Sequence, residues 1–408
     1  MIRVTHISSA PFTGGAARAG LRLHEGLLGQ NDVKSTWLDA SGASHGPSFV
    51  KLPAPPSTLS LSKRVRRKLW QTPFEKLPSP TDTPFSNPNG WATIEMFEGS
   101  IPDVWNLHWV SWLMNWETVL PWMAQQAPIV WTLHDLNPLR GIWHYEPTAS
   151  EQTEPWQSME QQSVQQKRRA LAAIPNNRIT FVGPSQWMAG EVASSQVTEG
   201  FNAECIPYGI DTQLFYPTNR QTLRDICEVA DGSWVLGFLA DSISDPRKGM
   251  SQLAQAISRL DKSLAIHIVT VGRGGIELPG NCAHTHLGPL RSDLLLRNFY
   301  SGCDLFVCPS LQDNLPCTVL EALACGTPAL AFNVGGLPDM IREGISGMTV
   351  SPVGDAKALA DAIAELLGDR TRMQELRNSS RQLATEEYSL STQANRYHEM
   401  YANIGEAN

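Results

Sequence analysis

The sequence predicts an α/β fold made of two doubly wound, Rossmann-like domains facing a central cleft. Three observations carry this expectation. Short β-branched runs alternate with helical periodicity from one end of the chain to the other, the pattern of parallel strands joined by crossover helices. The length of 408 residues suits two domains of ordinary size. Between two alternating halves lies a Pro- and Gly-containing connector, Ile206-Pro-Tyr-Gly-Ile-Asp-Thr-Gln-Leu-Phe-Tyr-Pro217.

In the first half, strands are expected near 2–7, 33–37, 104–107, 129–133 and 179–182. Ala16, Ala19, Leu23 and Leu27 recur at helical spacing and mark the first crossover helix, 16–28. The alternation lapses between 52 and 102, a stretch carrying Pro53, Pro55, Pro56, Pro73, Pro78, Pro80, Pro84, Pro88 and Pro102. An irregular insertion of that length is a functional loop or a partly disordered segment. In the second half, strands are expected near 235–239, 265–271, 305–307 and 329–332, and helices near 249–260, 291–301, 317–324, 355–367 and 370–386. The expected division is 1–208, 209–385, and a C-terminal helix in 386–408 available to pack back on the first domain.

Composition removes several classes of function. Apolar residues make up 42% and charged residues 18%, which excludes a mainly disordered chain. The net charge of −8 is the wrong sign for a surface that tracks a nucleic-acid backbone. The seven cysteines are odd in number, lack a C-x-x-C pair and all lie in the second half, which reads as reduced, mostly buried thiols. No signal-peptide pattern and no window of ~18 uninterrupted apolar residues occurs, so a cytoplasmic protein is expected.

Ligands of open parallel sheets bind beyond the carboxyl ends of the strands, so the candidate chemistry lies in the loops there. After the first strand, Gly14-Gly15 runs into a helix; amides at a helix start suit an anion, and a tight turn is the structural alternative. After the strand at 235–239 comes Asp245-Pro-Arg247-Lys248-Gly249, whose adjacent cations suit a diphosphate or a solvated turn. The densest segment is Pro309-Ser-Leu-Gln-Asp313-Asn-Leu-Pro-Cys-Thr-Val-Leu-Glu321-Ala-Leu-Ala-Cys-Gly326-Thr-Pro328. Glu321 stands about five residues into an otherwise apolar helix and needs a partner; ligand hydroxyls would serve, as would a wet helix face or an arginine. His108 and His134-Asp135 follow the strands at 104–107 and 129–133, and read as ligand-facing or as packing histidines. Twelve of the thirteen tryptophans fall before residue 188; Trp105, Trp109, Trp112 and Trp116 recur at nearly helical spacing, mostly as core, with one or two available to stack on a sugar ring. Lys63, Arg64, Arg66, Arg67 and Lys68 beside Leu69 and Trp70 form a solvated helix or a peripheral anchor on anionic lipid.

Together these segments resemble the family-four retaining glycosyltransferases, which have the GT-B architecture. Ile206-Pro-Tyr-Gly-Ile-Asp211 is similar to that family's I-P-N-G-V-D segment, and Asp313 and Glu321, with seven residues between them, match its E-x7-E pattern, followed by Cys325-Gly326-Thr327-Pro328. Val182-Gly-Pro-Ser185-Gln-Trp187 and Gly335-Gly336-Leu337-Pro338 are further matches. Trp131-Thr-Leu-His134-Asp135 and Gly141-Ile-Trp-His144-Tyr145 resemble the branch that assembles colanic-acid-type polysaccharides. The chain departs from the pattern at Asp313, where the family has Glu, at Cys317, and at Leu239-Ala240-Asp241, where the family carries a phosphate-binding arginine.

The resemblance implies a metal-independent hexosyltransferase that uses a UDP- or GDP-linked sugar donor and no cofactor, and acts on a glycan or lipid-linked acceptor in surface or extracellular polysaccharide synthesis. It places Glu321 on the donor ribose and Asp313 on a donor-sugar hydroxyl. Asn314, Leu315 and Thr318 lie along the same donor nucleotide. Lys248, Arg247 and the amides of Gly14 and Gly15 meet the leaving diphosphate, and His134 meets the sugar or the reacting centre. No D-x-D tripeptide is present to hold a diphosphate-bound metal. A non-catalytic sugar-nucleotide-binding protein and a GT-B epimerase or phosphorylase are the alternative readings.

Overall fold

The computed structural model describes residues 1–9, 14–39, 46–52, 83–99, 101–275, 278 and 282–406. Chain contacts divide into two compact units, Met1–Ile206 with Ala394–Asn408, and Pro207–Gln393.

The first unit holds β1 (Ile2–Ser8), β2 (Val33–Asp39), β3 (Phe49–Lys51), β4 (Val104–Leu107), β5 (Ile129–Thr132), β6 (Ile179–Gly183) and β7 (Ala203–Cys205), paired in parallel in the order β3-β2-β1-β4-β5-β6-β7. Its helices are α1 (Gly15–Leu28), α2 (Val119–Gln126), α3 (Trp156–Ala172) and α4 (Gln186–Ser194), with the C-terminal helix Leu390–Glu406. Alternate residues of each strand serve opposite faces. One face sets Ile7, Trp105, Leu107, Ile129, Trp131 and Phe181 against Met123 of α2 and Met188 of α4. The other sets Val4, Val104 and Val130 against Leu23 and Leu27 of α1 and Tyr397 and Tyr401 of the C-terminal helix. On this second face the strands turn polar toward their carboxyl ends: Val4 gives way to His6, Val104 to Asn106 and His108, and Val130 to Thr132 and His134. Tyr397 and Tyr401 meet the transition, with Tyr397 Oη 2.8 Å from Thr132 Oγ1, and Asn106 Nδ2 donating to Tyr401 Oη at 2.5 Å.

The second unit holds β8 (Trp234–Ser242), β9 (Ile266–Arg273), β10 (Ala283–His286), β11 (Leu305–Cys308), β12 (Ala329–Phe332) and β13 (Gly347–Val350), parallel in the order β10-β9-β8-β11-β12-β13. Its helices are α5 (Gln221–Ile226), α6 (Met250–Arg259), α7 (Asp293–Gly302), α8 (Cys317–Ala324), α9 (Leu337–Met340), α10 (Ala356–Leu367) and α11 (Arg370–Glu387). Helix α10 starts where Asp355 accepts from the amides of Lys357 and Ala358, and it buries Leu359, Ile363, Leu366 and Leu367. The α/β class and the two Rossmann-like sheets are those expected from the sequence.

The strands that differ have a common cause. The four strands not expected, β3, β7, β10 and β13, are the four sheet edges; each has three or four residues and so little apolar run to announce it. Helices α2, α3, α4, α5 and α9 were not expected either; the longest of them, α3, shows no continuous apolar stripe in its polar sequence WQSMEQQSVQQKRRALA. The tryptophan spacing is not helical: Trp105 lies in β4, and the loop beyond it buries Trp116 and leaves Trp112 exposed. Helix α6 begins at Met250, because Gly249 is left-handed. Cys227, Cys303, Cys308 and Cys325 are buried, and Cys205, Cys282 and Cys317 are partly exposed. Lys63, Arg64, Arg66, Arg67 and Lys68 lie outside the described residues, as does much of the insertion.

Candidate functional site

In the second unit, three loops converge beyond the carboxyl ends of β8, β11 and β12. After β8, the Asp245 side chain accepts from the Arg247 amide and starts a 3-10 turn, Pro246–Lys248. That turn closes on Gly249, with φ of +72°, where an added Cβ would fall 1.7 Å from the Pro309 carbonyl oxygen. Only glycine allows this approach. The Leu311 amide donates to the Arg247 carbonyl at 2.8 Å, tying the β8 loop to the β11 loop. On the far side, Gly335, at φ of +56°, would carry a Cβ 1.8 Å from the Asp313 carbonyl oxygen, and the Gly336 amide donates to the Asn314 carbonyl at 2.8 Å. The β11 loop is therefore held between two glycine contacts.

This framework fixes Asp313. Lys248 Nζ donates to its Oδ2 at 2.6 Å, Ser310 Oγ to the same oxygen at 3.0 Å, and the Asn314 amide to Oδ1 at 3.2 Å. Arg247 Nη1 is 4.0 Å from that Oδ2 and donates to the Gln312 carbonyl at 3.0 Å, while Nη2 donates to Asp245 at 3.1 Å. Burial opposes the charge on Asp313, but Lys248 and then Arg247, with the hydrogen bonds from Lys248 and Ser310, outweigh it and hold the carboxyl below its ordinary value. Arg247 is shared between Asp245 and Asp313 and Lys248 is held by Asp313, so two cations are fixed by two carboxylates at the end of the sheet, with their N–H groups preset for an anionic leaving group.

Glu321, on α8, is 3% exposed. It is not on a wet face, and its Oε2 accepts from Tyr300 Oη of α7 at 2.8 Å. Asn314 and Leu315 are buried in the loop before α8, and Thr318 is half-buried in its first turn.

In the first unit, Gly14 precedes α1 in extended backbone as its N-cap residue, and Gly15 opens the helix. His134 follows β5 and lines a cavity of about 10 Å³ together with His108, Trp109, Ser111, Asp135 and Asn137. Burial lowers the His134 pKa to about 4, against the opposing pull of Asp135. Behind it, His108 Nδ1 lies 3.1 Å from His134 Nε2, and His6 Nδ1 lies 2.9 Å from His108 Nε2. Asp135 Oδ2 meets His144 Nδ1 at 2.6 Å and accepts from Trp109 Nε1 at 2.7 Å. His144 Nε2 is 3.1 Å from Ser86 Oγ. The Ser86-His144-Asp135 order matches that of a nucleophile triad, but Ser86 is fully buried, so the group braces the loop after β5. Lys167 of α3 supports the same loop, donating to the carbonyls of Asn137 at 2.5 Å and Arg140 at 2.8 Å; burial lowers its pKa to about 7 against Glu160 and Asp135.

Arg247, Lys248, Asp313 and Asn314 are thus in one cluster. Glu321 lies in the same unit on Tyr300, and Gly14, Gly15 and His134 belong to the other unit. The sequence reading missed Tyr300, Ser310, Lys167, Ser86 and His6. His6 alone carried a signal, since a histidine inside a β-branched strand is out of place unless other polar groups meet it.

The decisive segment is the one spanning that cluster. Residues 234–369 match the family of glycosyl transferases group 1. Over 190 residues the chain is 32% identical to D-inositol 3-phosphate glycosyltransferase of Geodermatophilus obscurus, covering 41% of this chain and 42% of that protein. It covers 42–60% of the length of the relatives of that name. The fold is shared with sucrose-phosphate synthase from Thermosynechococcus elongatus, at a TM-score of 0.70 and 18% identity over 100% of both chains. It is also shared with HepE of Anabaena in complex with UDP-glucose, at a TM-score of 0.65 and 16% identity over 99% and 100% of the two chains.

Proposed function

We propose that the chain is a retaining, metal-independent glycosyltransferase that moves a hexose from a nucleoside diphosphate sugar. The observation carrying this reading is the Lys248–Asp313 pair with Arg247 beside it, at the carboxyl ends of the strands of a unit whose sequence matches group 1 glycosyl transferases. When the sugar leaves, negative charge gathers on the nucleoside diphosphate. Cations already fixed in place stabilise that charge without reorganising. Lys248 and Arg247 take this role, with the Gly14 and Gly15 amides. Asp313 positions Lys248 and accepts from a sugar hydroxyl, and Glu321 accepts from the ribose. Asn314, Leu315 and Thr318 line the nucleotide, and His134 meets the sugar. The departing phosphate takes the acceptor's proton on the same face, so no side chain serves as base.

The acceptor follows from the polysaccharide-branch motifs: a glycan or lipid-linked saccharide in bacterial surface or extracellular polysaccharide synthesis, with the basic run at 63–68 available for anionic lipid at the inner face of the membrane. Among the described residues no helix is long and apolar enough to cross a membrane. The names of the relatives favour a second reading, in which the acceptor is a small phosphorylated polyol or sugar.

Thermal stabilisation by a panel of nucleotides, then donor turnover with each acceptor class, tests the reading. A true donor at 100 times its Kd adds about 2.7 kcal/mol of stability. A chain stabilised by no nucleotide would end it.

A further inference from the structure

The polar face of the first unit's sheet carries a chain of imidazoles, of which the proposed mechanism uses only His134. His6 of β1, His108 after β4 and His134 after β5 stand on adjacent strands, with consecutive ring centroids 5.2 and 5.3 Å apart and planes inclined by 18° and 28°. Trp37 of β2 stacks on His6 at 5.8 Å and on His108 at 5.4 Å, fixing both rings. Each junction joins Nδ1 of one ring to Nε2 of the next. A neutral imidazole has one N–H and one bare nitrogen, so the protons must run in the same direction along all three rings. Burial keeps the rings neutral, lowering the pKa of each.

Only two arrangements exist. With protons directed inward, His134 Nε2–H donates to His108, His108 Nε2–H donates to His6, and His6 carries a proton on Nε2. Among the described residues that nitrogen is buried with no partner. His24, the neighbouring ring, has Nδ1 on Ser35 and Nε2 on Ser48 and offers no acceptor. With protons directed outward, His6 Nδ1–H donates to His108 and His108 Nδ1–H to His134, and the buried end is a bare nitrogen. An orphaned buried N–H is the rarer defect in proteins. The outward arrangement is therefore preferred.

We propose that His6 and His108 are positioning residues that hold His134 as the tautomer protonated on Nδ1. His134 Nε2 is then committed to accepting from His108, and Nδ1 offers a donor. Resting on the role proposed above for His134, this makes the residue a hydrogen-bond donor to an oxygen and removes it as a proton acceptor. A neutral imidazole in water favours the opposite tautomer, so the effect is distinctive.

Imidazole ¹⁵N–¹H correlation spectra of the unliganded chain at neutral pH test this, with His134→Gln assigning the signal. The expected result is Nδ1–H on His134, and Nε2–H on it would overturn the proposal. In His108→Phe, His134 should gain Nε2–H and donor turnover should fall about tenfold with KM little changed. A folded His108→Phe that keeps the parental tautomer would also overturn it. If that variant does not fold, the parental spectrum decides. If the parent turns over no nucleotide sugar while His134 shows Nδ1–H, the proposed activity falls and the tautomer lock stands.

Discussion

The Lys248–Asp313 contact can be weighed by a double-mutant cycle of Lys248→Met, Asp313→Asn and the pair. The 2.6 Å separation corresponds to a gross attraction of about 6 kcal/mol at an effective dielectric constant of about 20. Desolvation consumes most of it, since the Asp313 side chain is 9% exposed and that of Lys248 23%. Arg247 at 4.0 Å supplies a second cation when Lys248 is removed, which softens the single variant. The expected coupling is that of a charge-assisted hydrogen bond, about 1.5–3 kcal/mol at pH 7. Asp313 has a lowered folded-state pKa, so its stabilisation is complete above the ordinary value of 3.8 and is lost as pH falls through the folded value. Urea unfolding of the four proteins, followed by circular dichroism at several pH values, gives the coupling. A value below about 0.5 kcal/mol at pH 7 would place the pair among exposed ion pairs and refute the claim that the glycine-framed loops desolvate it.

Four further expectations follow from named contacts. Glu321→Gln should weaken nucleoside diphosphate binding by roughly 10- to 100-fold while leaving the circular dichroism spectrum unchanged, and parental affinity by calorimetry would make Glu321 a structural partner of Tyr300 only. Gly249→Ala should cost more than about 1–2 kcal/mol and abolish turnover, because it combines a left-handed φ with a Cβ against the Pro309 carbonyl; a parental melting temperature would contradict that geometry. Excess chelator should leave initial transfer rates unchanged, and activity lost and then restored by Mg²⁺ or Mn²⁺ would contradict metal independence. His6, His24, His108 and His134 all have lowered folded-state pKa values, with His24 and His134 near 4, so unfolding takes up protons between about pH 4 and 6.5. Stability should therefore fall as pH drops through that window, and a flat profile would mean that these rings are hydrated.

Much of the fold is legible in the sequence because interior parallel strands are buried on both faces and read as apolar runs. Val104–Leu107 and Ala329–Phe332 coincide with their expected limits, as does the helix Cys317–Ala324. The edges escaped because a strand paired on one side needs no such run. The candidate site was legible to the degree that it is local. Asp313, Asn314, Leu315, Thr318 and Glu321 fall in one segment, and Arg247 and Lys248 are adjacent, so residue type and spacing single them out.

The sequence alone determined the α/β class, the interior strands and the residues able to carry charge at the strand ends, all of which depend on neighbours a few positions away. Tertiary structure decided the partners. Lys248 meets Asp313 across 65 positions, Tyr300 meets Glu321 across 21, His6 meets His108 across 102, and Asn106 meets Tyr401 across 295. No periodicity encodes such pairs. They depend on strand order, on which face of the sheet a side chain occupies, and on glycines at Gly249 and Gly335 that let one loop approach another more closely than a Cβ permits.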